Sequence, residues 1–242
     1  MRRLESAIAS VCILGAIASL SALARADDGD EARRFVIGLR TGYGIPLGSY
    51  ARVRTLAGIR DENVHSIADD AYGVIPLWLD VGYRIHPSLL IGVYGMYGIV
   101  LPKTAAATDP LGGGCPESFD CAGSGTRFGV RGEYSFMPAG PIKPWLGIGF
   151  GYERISTHLE GQFAGLEFEA DTSHSGLDLL QLQGGADFAL SDVFSLGPFL
   201  SLSGMKYGDC ALALTGEEQP CELDEAAWHG WLAFGIRGMA EL

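Results

Sequence analysis

The stretch IPLWLDVGYRI, residues 75–85, alternates between two kinds of side chain at every second position. One face of an extended strand would carry the large residues Ile75, Leu77, Leu79, Val81, Tyr83 and Ile85. The other face would carry Trp78, Asp80, Gly82 and Arg84. About ten tilted residues suffice for a β-strand to cross a membrane. The stretch therefore predicts a spanning strand with one lipid-facing side and one inward side.

Seven further stretches show the same period of two, and together they predict a closed barrel. They are residues 35–46, 89–101, 127–136, 146–153, 180–190, 194–203 and 231–242. Residues 89–101 are apolar on both faces, so the orientation of that strand is left open. The connections at 48–71, 102–123, 160–173 and 208–226 are long, and those at 86–88, 137–143 and 191–192 are short. This alternation indicates an all-β, eight-stranded antiparallel transmembrane barrel with the long loops outside the cell.

The predicted inward faces carry Gly and charges of both signs. The charged members are Arg40, Asp80, Arg84, Arg127, Arg131, Glu133, Glu153, Asp187, Arg237 and Glu241. The interior of an eight-stranded barrel is just wide enough for side chains, and Gly makes room there. Isolated charges are costly to bury, so we expect these ten side chains to pair as a lumen charge network. A structural plug is the favoured interpretation, and a functional lumen is the alternative.

Residues 1–26 predict a secretory signal peptide that is cleaved. Arg2 and Arg3 precede an apolar run over residues 8–23, and Ala24 and Ala26 have the spacing of a cleavage site. A short membrane helix is the alternative, although the run is short for about 30 Å of hydrocarbon. Residues 27–33 would form a short periplasmic N-terminal segment, and residues 34–242 would form one outer-membrane barrel domain.

The chain is acidic, which limits its partners. Its net charge is −12, and the loss of residues 1–26, which hold three Arg and one Glu, makes it −14. This excess of negative charge argues against nucleic acid as a partner. Acidic residues cluster at 69–70, 217–218 and 222–225. Solvated loop charge is the favoured interpretation of these clusters, and divalent cations shared with lipopolysaccharide are the alternative.

Four cysteines fall in the long connections and predict disulfides. Cys115 and Cys121 lie in the second long connection, and Cys210 and Cys221 lie in the fourth. An oxidising compartment suits disulfide bonds. The two local pairs are favoured because each closes a small ring within one loop, and a bridge between the two loops is the alternative. Their spacings do not match a CxxC zinc site.

The chain shows no motif that demands a catalytic site, a metal or a cofactor, and we expect none of the three. Gly147, Gly149 and Gly151 lie within a strand rather than before a helix, so they do not predict a phosphate-binding loop. The five His residues lack metal-site spacing. Lipid chemistry is the enzymatic alternative, with Ser173, His174 and Ser175, and with His158 nearby.

In these features the chain resembles the small eight-stranded outer-membrane barrels of Gram-negative bacteria, the OmpA- and OmpX-like group. The resemblance covers residues 34–242, and the strand at 231–242 is similar to the C-terminal signal of that group, although it ends in Leu242 rather than in an aromatic residue. It implies a monomer in the outer membrane, surrounded by lipids and lipopolysaccharide and inserted by the barrel-assembly machinery. It also implies loops that face outward and are available to an extracellular ligand.

The resulting expectation is a non-enzymatic protein with a structural or surface-display role and a lumen plugged by charged side chains. The alternatives are a narrow, porin-like channel for small solutes and a lipid A-modifying enzyme. A soluble lipocalin-like barrel is the rival fold.

Overall fold

The computed structural model describes residues 35–51, 54–56, 58–61, 65–105, 115–116, 119–163, 166–225 and 227–242. The predicted signal peptide at 1–26 and the segment at 27–33 lie outside the described residues. Both therefore stay predictions.

Eight long strands form the wall of the molecule. They are β1 (Phe35–Ala51), β2 (Ala71–His86), β3 (Leu89–Pro102), β4 (Phe119–Ser135), β5 (Ile142–Phe163), β6 (Leu166–Ala189), β7 (Phe194–Leu214) and β8 (Trp228–Glu241). Each strand pairs antiparallel with its neighbour in the chain. β1 also pairs with β8, from Val36 opposite Glu241 to Gly48 opposite His229, which closes the ring. The predicted eight-stranded antiparallel barrel is confirmed.

The outer face of the barrel is apolar on every strand. Large side chains that would be buried in a soluble protein are 45–63% exposed there: Leu39, Leu79, Ile99, Phe128, Phe150, Leu182, Leu200 and Ile236. A continuous exposed apolar belt of this kind is what the hydrocarbon of a membrane requires. No helix among the described residues has the length and apolar character to cross a membrane.

The orientation of β3 follows from its pairing with β2. Tyr94 lies directly opposite Asp80, which points inward. Residues directly opposite each other in an antiparallel pair share a face, so Tyr94 is also inside. Ile91, Val93 and Ile99 consequently face outward.

Glycine makes room inside the barrel. Gly185 of β6 lies where the indole of Trp145 fills the lumen, and a Cβ atom at Gly185 would lie 2.9 Å from Cζ2 of that ring. Trp145 is 2% exposed, so its ring is enclosed by other side chains and a side chain at Gly185 would overlap it. The high Gly content of the inward faces therefore has a steric cause.

The prediction of a long loop at 160–173 is wrong. β5 and β6 continue as a paired hairpin through this region, with Glu160 opposite Glu169 and Phe163 opposite Leu166. A strand that continues beyond the membrane needs no lipid-facing apolar stripe. The polar residues of this region therefore gave no alternation from which a strand could be predicted. β7 likewise continues to Leu214, within the predicted fourth loop.

Short elements complete the end of the barrel that carries the long connections, called here the outer end. Helix α1 (Ile67–Asp70) begins at Ser66, whose Oγ accepts a hydrogen bond from the amide of Ala68. The remaining short strands are Arg54–Leu56, Ile59–Asp61, His65–Ser66, Thr104–Ala105, Cys115–Pro116, Glu217–Gln219 and Cys221–Leu223. Ile67 is 6% exposed and packs into an inner apolar cluster with Trp231 and Tyr207.

Candidate functional site

Arg40 anchors the charge network at the middle of the barrel. Its side chain is fully buried and donates two hydrogen bonds to Asp80, from Nε at 2.7 Å and from Nη2 at 2.9 Å. Its Nη1 donates to Oε1 of Gln183 at 2.6 Å, so the guanidinium of β1 reaches β6 across the lumen. The guanidinium also lies 4.9 Å from the ring centre of Trp78. A bidentate pair of this kind fixes both side chains in one geometry.

The network continues from Asp80 to the opposite wall. Arg131 Nη1 lies 3.0 Å from Asp80 Oδ1, and Arg131 also pairs with Glu133. Glu133 accepts from Arg237 Nη1 at 2.7 Å, and Arg237 Nε donates to Asp187 at 2.7 Å. With Arg40, three Arg and three acidic side chains thus form one chain of ion pairs across the lumen. We call these six residues the central charge network.

A second group, the upper cluster, lies nearer the outer end. Arg127 Nη2 donates to Glu153 at 2.6 Å, and Arg127 Nη1 lies 3.6 Å from Asp178. Tyr207 donates to Glu153 at 3.1 Å, and Tyr94 donates to Asp178 at 3.3 Å. These five residues surround one guanidinium with two carboxylates and two hydroxyl groups.

The two remaining charged residues of the prediction form a separate pair at the opposite end. Arg84 Nη2 donates to Glu241 Oε1 at 2.7 Å, and Lys143 lies 3.9 Å from the same oxygen. The ten predicted residues are therefore divided among the central charge network, the upper cluster and this partly exposed pair.

The sequence prediction missed several inward polar residues. Asp178 is 1% exposed, yet it lies outside the predicted strand 180–190. The register of β6 against β7 shifts between Asp178 and Leu180, which is a β-bulge, and a bulge reverses the inward positions that follow it. The sequence prediction also missed Tyr207 and His229. Both lie at inward positions, and their rings stack with 3.8 Å between ring centres.

Above the upper cluster, a cavity of about 240 Å³ opens near the outer end. We call it the vestibule. Tyr207, Trp231 and His174 contribute to its lining, together with Ile67 of α1 and Val100 of β3. Its lining is mainly apolar, and the upper cluster and central charge network separate it from the far end of the barrel.

Each of the two disulfides joins two cysteines that are close in the chain. Cys115 bonds to Cys121, and the bond borders the vestibule. Cys210 at the outer part of β7 bonds to Cys221. The two local pairs favoured by the sequence are therefore the pairs in the structure, and they hold chain segments at the outer end.

Ser173 and His174, the adjacent pair of the lipid-chemistry alternative, do not come together as a catalytic pair. His174 is buried at an inward position and stacks on Tyr207 at 5.8 Å between ring centres. Ser173 is adjacent in the strand and points to the other face, where its Oγ accepts a hydrogen bond from Arg154 at 3.3 Å. Ser173 and His174 therefore lie on opposite faces of β6.

The acidic clusters of the sequence lie in separate surface segments at the outer end. Asp69, Glu217, Glu222 and Glu225 are all exposed. Asp69 belongs to the first long connection and the other three belong to the fourth, and all four are exposed as solvated loop charge is.

Comparison with known proteins supports the fold. No family model and no curated protein matches the chain. A major outer membrane protein from Thermus thermophilus is 15% identical, with a TM-score of 0.51 over 86% of this chain and 100% of that chain. OprG from Pseudomonas aeruginosa is 15% identical, with a TM-score of 0.48 over 86% of this chain and 97% of that chain. Neisserial surface protein A is 13% identical, with a TM-score of 0.43 over 86% of this chain and 97% of that chain.

The match to the Thermus protein shows the fold. The chain has the fold of a small outer-membrane β-barrel, and its exposed apolar belt is the surface that such a barrel turns to membrane lipid. The rival soluble barrel is wrong, because a soluble barrel would bury its apolar stripe rather than expose it.

Proposed function

We propose that this protein is a monomeric outer-membrane barrel with a closed lumen and a structural, surface-display role. The observation that carries the proposal is the central charge network, which crosses the lumen from Arg40 to Asp187. Membrane lipid and lipopolysaccharide contact the belt, and the barrel-assembly machinery inserts the protein. The disulfide-bonded outer end is the part presented to an extracellular ligand.

The network supports closure because each charge in it is paired. Opening a path for ions would separate buried, charge-assisted hydrogen bonds, each worth about 1.5–3 kcal/mol. The separated guanidinium and carboxylate groups would then need water, but the lumen is already filled by Trp78, Trp145 and Phe199. A narrow channel is therefore less favoured than a plug, and the opposite faces of Ser173 and His174 give a catalytic role no support.

Planar-bilayer recording tests this proposal directly. The wild-type protein should give no unitary current steps, because its lumen is closed. The double variant Arg40→Ala/Asp80→Ala removes a bonded pair from the centre and should give brief, small steps. Clear unitary steps from the wild-type protein would overturn the plug and favour the narrow-channel alternative.

The vestibule supports a second candidate function, the capture of one small apolar molecule at the outer end. A mainly apolar recess with a few polar groups is the usual form of a ligand pocket, and about 240 Å³ is small for one. Binding here would not lead to passage, since the upper cluster lies directly below. The candidate ligand class is a compact apolar or aromatic compound.

Calorimetric titration with indole tests the second candidate. Ala170→Trp places a large ring in the vestibule, which Ala170 lines, and should abolish binding. Ala122→Trp is the matched control because Ala122 is exposed on β4 and does not line the vestibule. Equal indole binding by both variants would show that the vestibule is not the binding site.

A further inference from the structure

The outer part of the β5–β6 hairpin brings four metal-ligating side chains onto one face. His158 lies directly opposite Asp171, and Glu160 lies directly opposite Glu169. Residues two apart in a strand share a face, and so do residues directly opposite each other. We call these four residues the hairpin tetrad. The pairing of β5 with β4 also sets Asp120 opposite Glu160.

The distances within the hairpin tetrad are those of side chains that can share one ion. His158 Nδ1 lies 2.7 Å from Asp171 Oδ1 and 3.9 Å from Glu169 Oε1. The ligand atoms of these three residues all lie within 4.8 Å of one another. Ligands at about 2.0–2.2 Å from a zinc ion lie up to roughly 4.4 Å apart, so small side-chain rotations would bring all three to one ion.

The fourth residue has the position of a supporting group. His158 Nε2 lies 3.4 Å from Glu160 Oε2, on the side of the ring away from Asp171 and Glu169. A metal-bound imidazole usually donates its other N–H to a carboxylate, which fixes the ring orientation. The hairpin tetrad therefore contains both a set of three ligand atoms and the partner that holds the imidazole.

The local excess of negative charge also favours the binding of a cation. Residues 155–175 contain no Lys or Arg, although they contain Glu160, Glu167, Glu169 and Asp171. Like charges directly opposite each other destabilise a strand pair, and Asp120, Glu160 and Glu169 form such a row. A bound divalent cation would neutralise the row.

From this geometry we propose that the hairpin tetrad binds a divalent transition metal, zinc first, outside the membrane. His158, Glu169 and Asp171 supply the ligands, and Glu160 holds His158. An imidazole nitrogen favours zinc over calcium and magnesium, which prefer oxygen ligands alone. Three protein ligands leave a fourth position for water or for a donor from a surface partner.

Isothermal titration of the purified, folded protein with zinc chloride tests the site, with calcium chloride as the comparison ion. The wild-type protein should bind one zinc ion and bind calcium more weakly. Glu160→Gln should weaken zinc binding by about 10–100-fold because the imidazole loses its partner. His158→Ala and Asp171→Asn should weaken it at least as much.

Two matched controls separate this site from general surface binding. His86→Ala removes an exposed His from the end of β2, and Glu217→Gln removes an exposed carboxylate from another hairpin at the outer end. Neither should change zinc binding. Retained heat-modifiable migration on a gel would show that each variant is folded.

Either of two titration results would overturn the proposal. One is the absence of zinc binding by the wild-type protein up to about 1 mM zinc, the weak end of specific binding. The other is unchanged zinc binding by folded His158→Ala, which would place the metal elsewhere. X-ray absorption of the zinc-loaded protein should show nitrogen and oxygen ligands, and a shell without an imidazole would count equally against the site.

Discussion

At the scale of single residues, burial decides how much each ion pair matters. Arg237 is 1% exposed and bonds to both Glu133 and Asp187. Arg84 makes a comparable bond to Glu241, but its side chain is 13% exposed. After a substitution of Arg84, water can solvate Glu241. After a substitution of Arg237, water cannot reach the buried carboxylates in the same way.

We therefore expect Arg237→Ala to destabilise the barrel far more than Arg84→Ala. Removing Arg237 takes from Asp187 its buried ion-pair partner and leaves Glu133 with Arg131 alone, at a cost of about 3–5 kcal/mol. Removing Arg84 should cost roughly 1 kcal/mol or less because the pair is partly exposed. Urea unfolding of the protein in lipid vesicles measures both values, and equal losses would contradict the buried network.

A second residue-scale prediction concerns the charge state of His158, on the hairpin outside the membrane. Hydrogen bonding to Asp171 raises the pKa of His158 above its ordinary value of 6.5. The protonated ring stabilises the folded state fully below the pKa of the unfolded chain, and this stabilisation is lost as the pH rises through the folded pKa.

Titration of His158 by NMR in chelator-treated protein should show this raised pKa. Asp171→Asn should move the pKa of His158 back toward 6.5, because the charged acceptor is lost. Glu217→Gln, on another hairpin, should leave it unchanged. A pKa of His158 that does not respond to Asp171→Asn would mean that the hydrogen bond is not formed in solution.

At the scale of elements, the main question is where strands end. The sequence places a loop at 160–173, whereas β5 and β6 pair continuously across this region. The lipid-facing apolar stripe ends near Arg154, but main-chain pairing does not depend on that stripe. A prediction based on apolar alternation therefore ends each strand at the membrane surface.

Hydrogen–deuterium exchange should detect the extended hairpin. The amides of Leu159 and Ala170, which lie opposite each other, should exchange slowly because they belong to a paired ladder. Asp224, in a bend outside the barrel strands, provides a comparison site in the same sample. Equally fast exchange at all three positions would support the loop that the sequence indicated.

At the scale of the whole molecule, the barrel separates three environments: lipid, lumen and the outer surface. The belt is exposed and apolar, the lumen holds paired charges, and the outer end carries disulfides and acidic residues. Whether a substitution is tolerated should depend on which environment receives it.

Leu79→Arg tests the belt, since Leu79 is 45% exposed near the middle of β2. An Arg near the centre of the bilayer should cost about 2–4 kcal/mol. Thr104→Arg is the control because Thr104 is exposed at the outer end. Unfolding free energies in lipid vesicles give the difference, and no difference would argue that the belt does not face hydrocarbon.

The sequence alone was sufficient for the strand number and for the inward and outward faces of most strands. Alternation is a local property, because each strand shows its two environments along its own residues. It was not sufficient for β3, since Tyr94 and Ile91 are both apolar enough for either face. The orientation of β3 depended on pairing with Asp80 of β2.

The tertiary structure alone decided which distant residues meet. Arg40 bonds to Gln183 only because the sheet closes into a ring, and Asp178 points inward only because of the bulge in β6. His158 and Asp171 lie on the two strands of one hairpin, and the register of those strands makes them neighbours. Local periodicity thus determined the environment of each side chain, while closure and register determined its partners, because both combine residues that the linear sequence keeps apart.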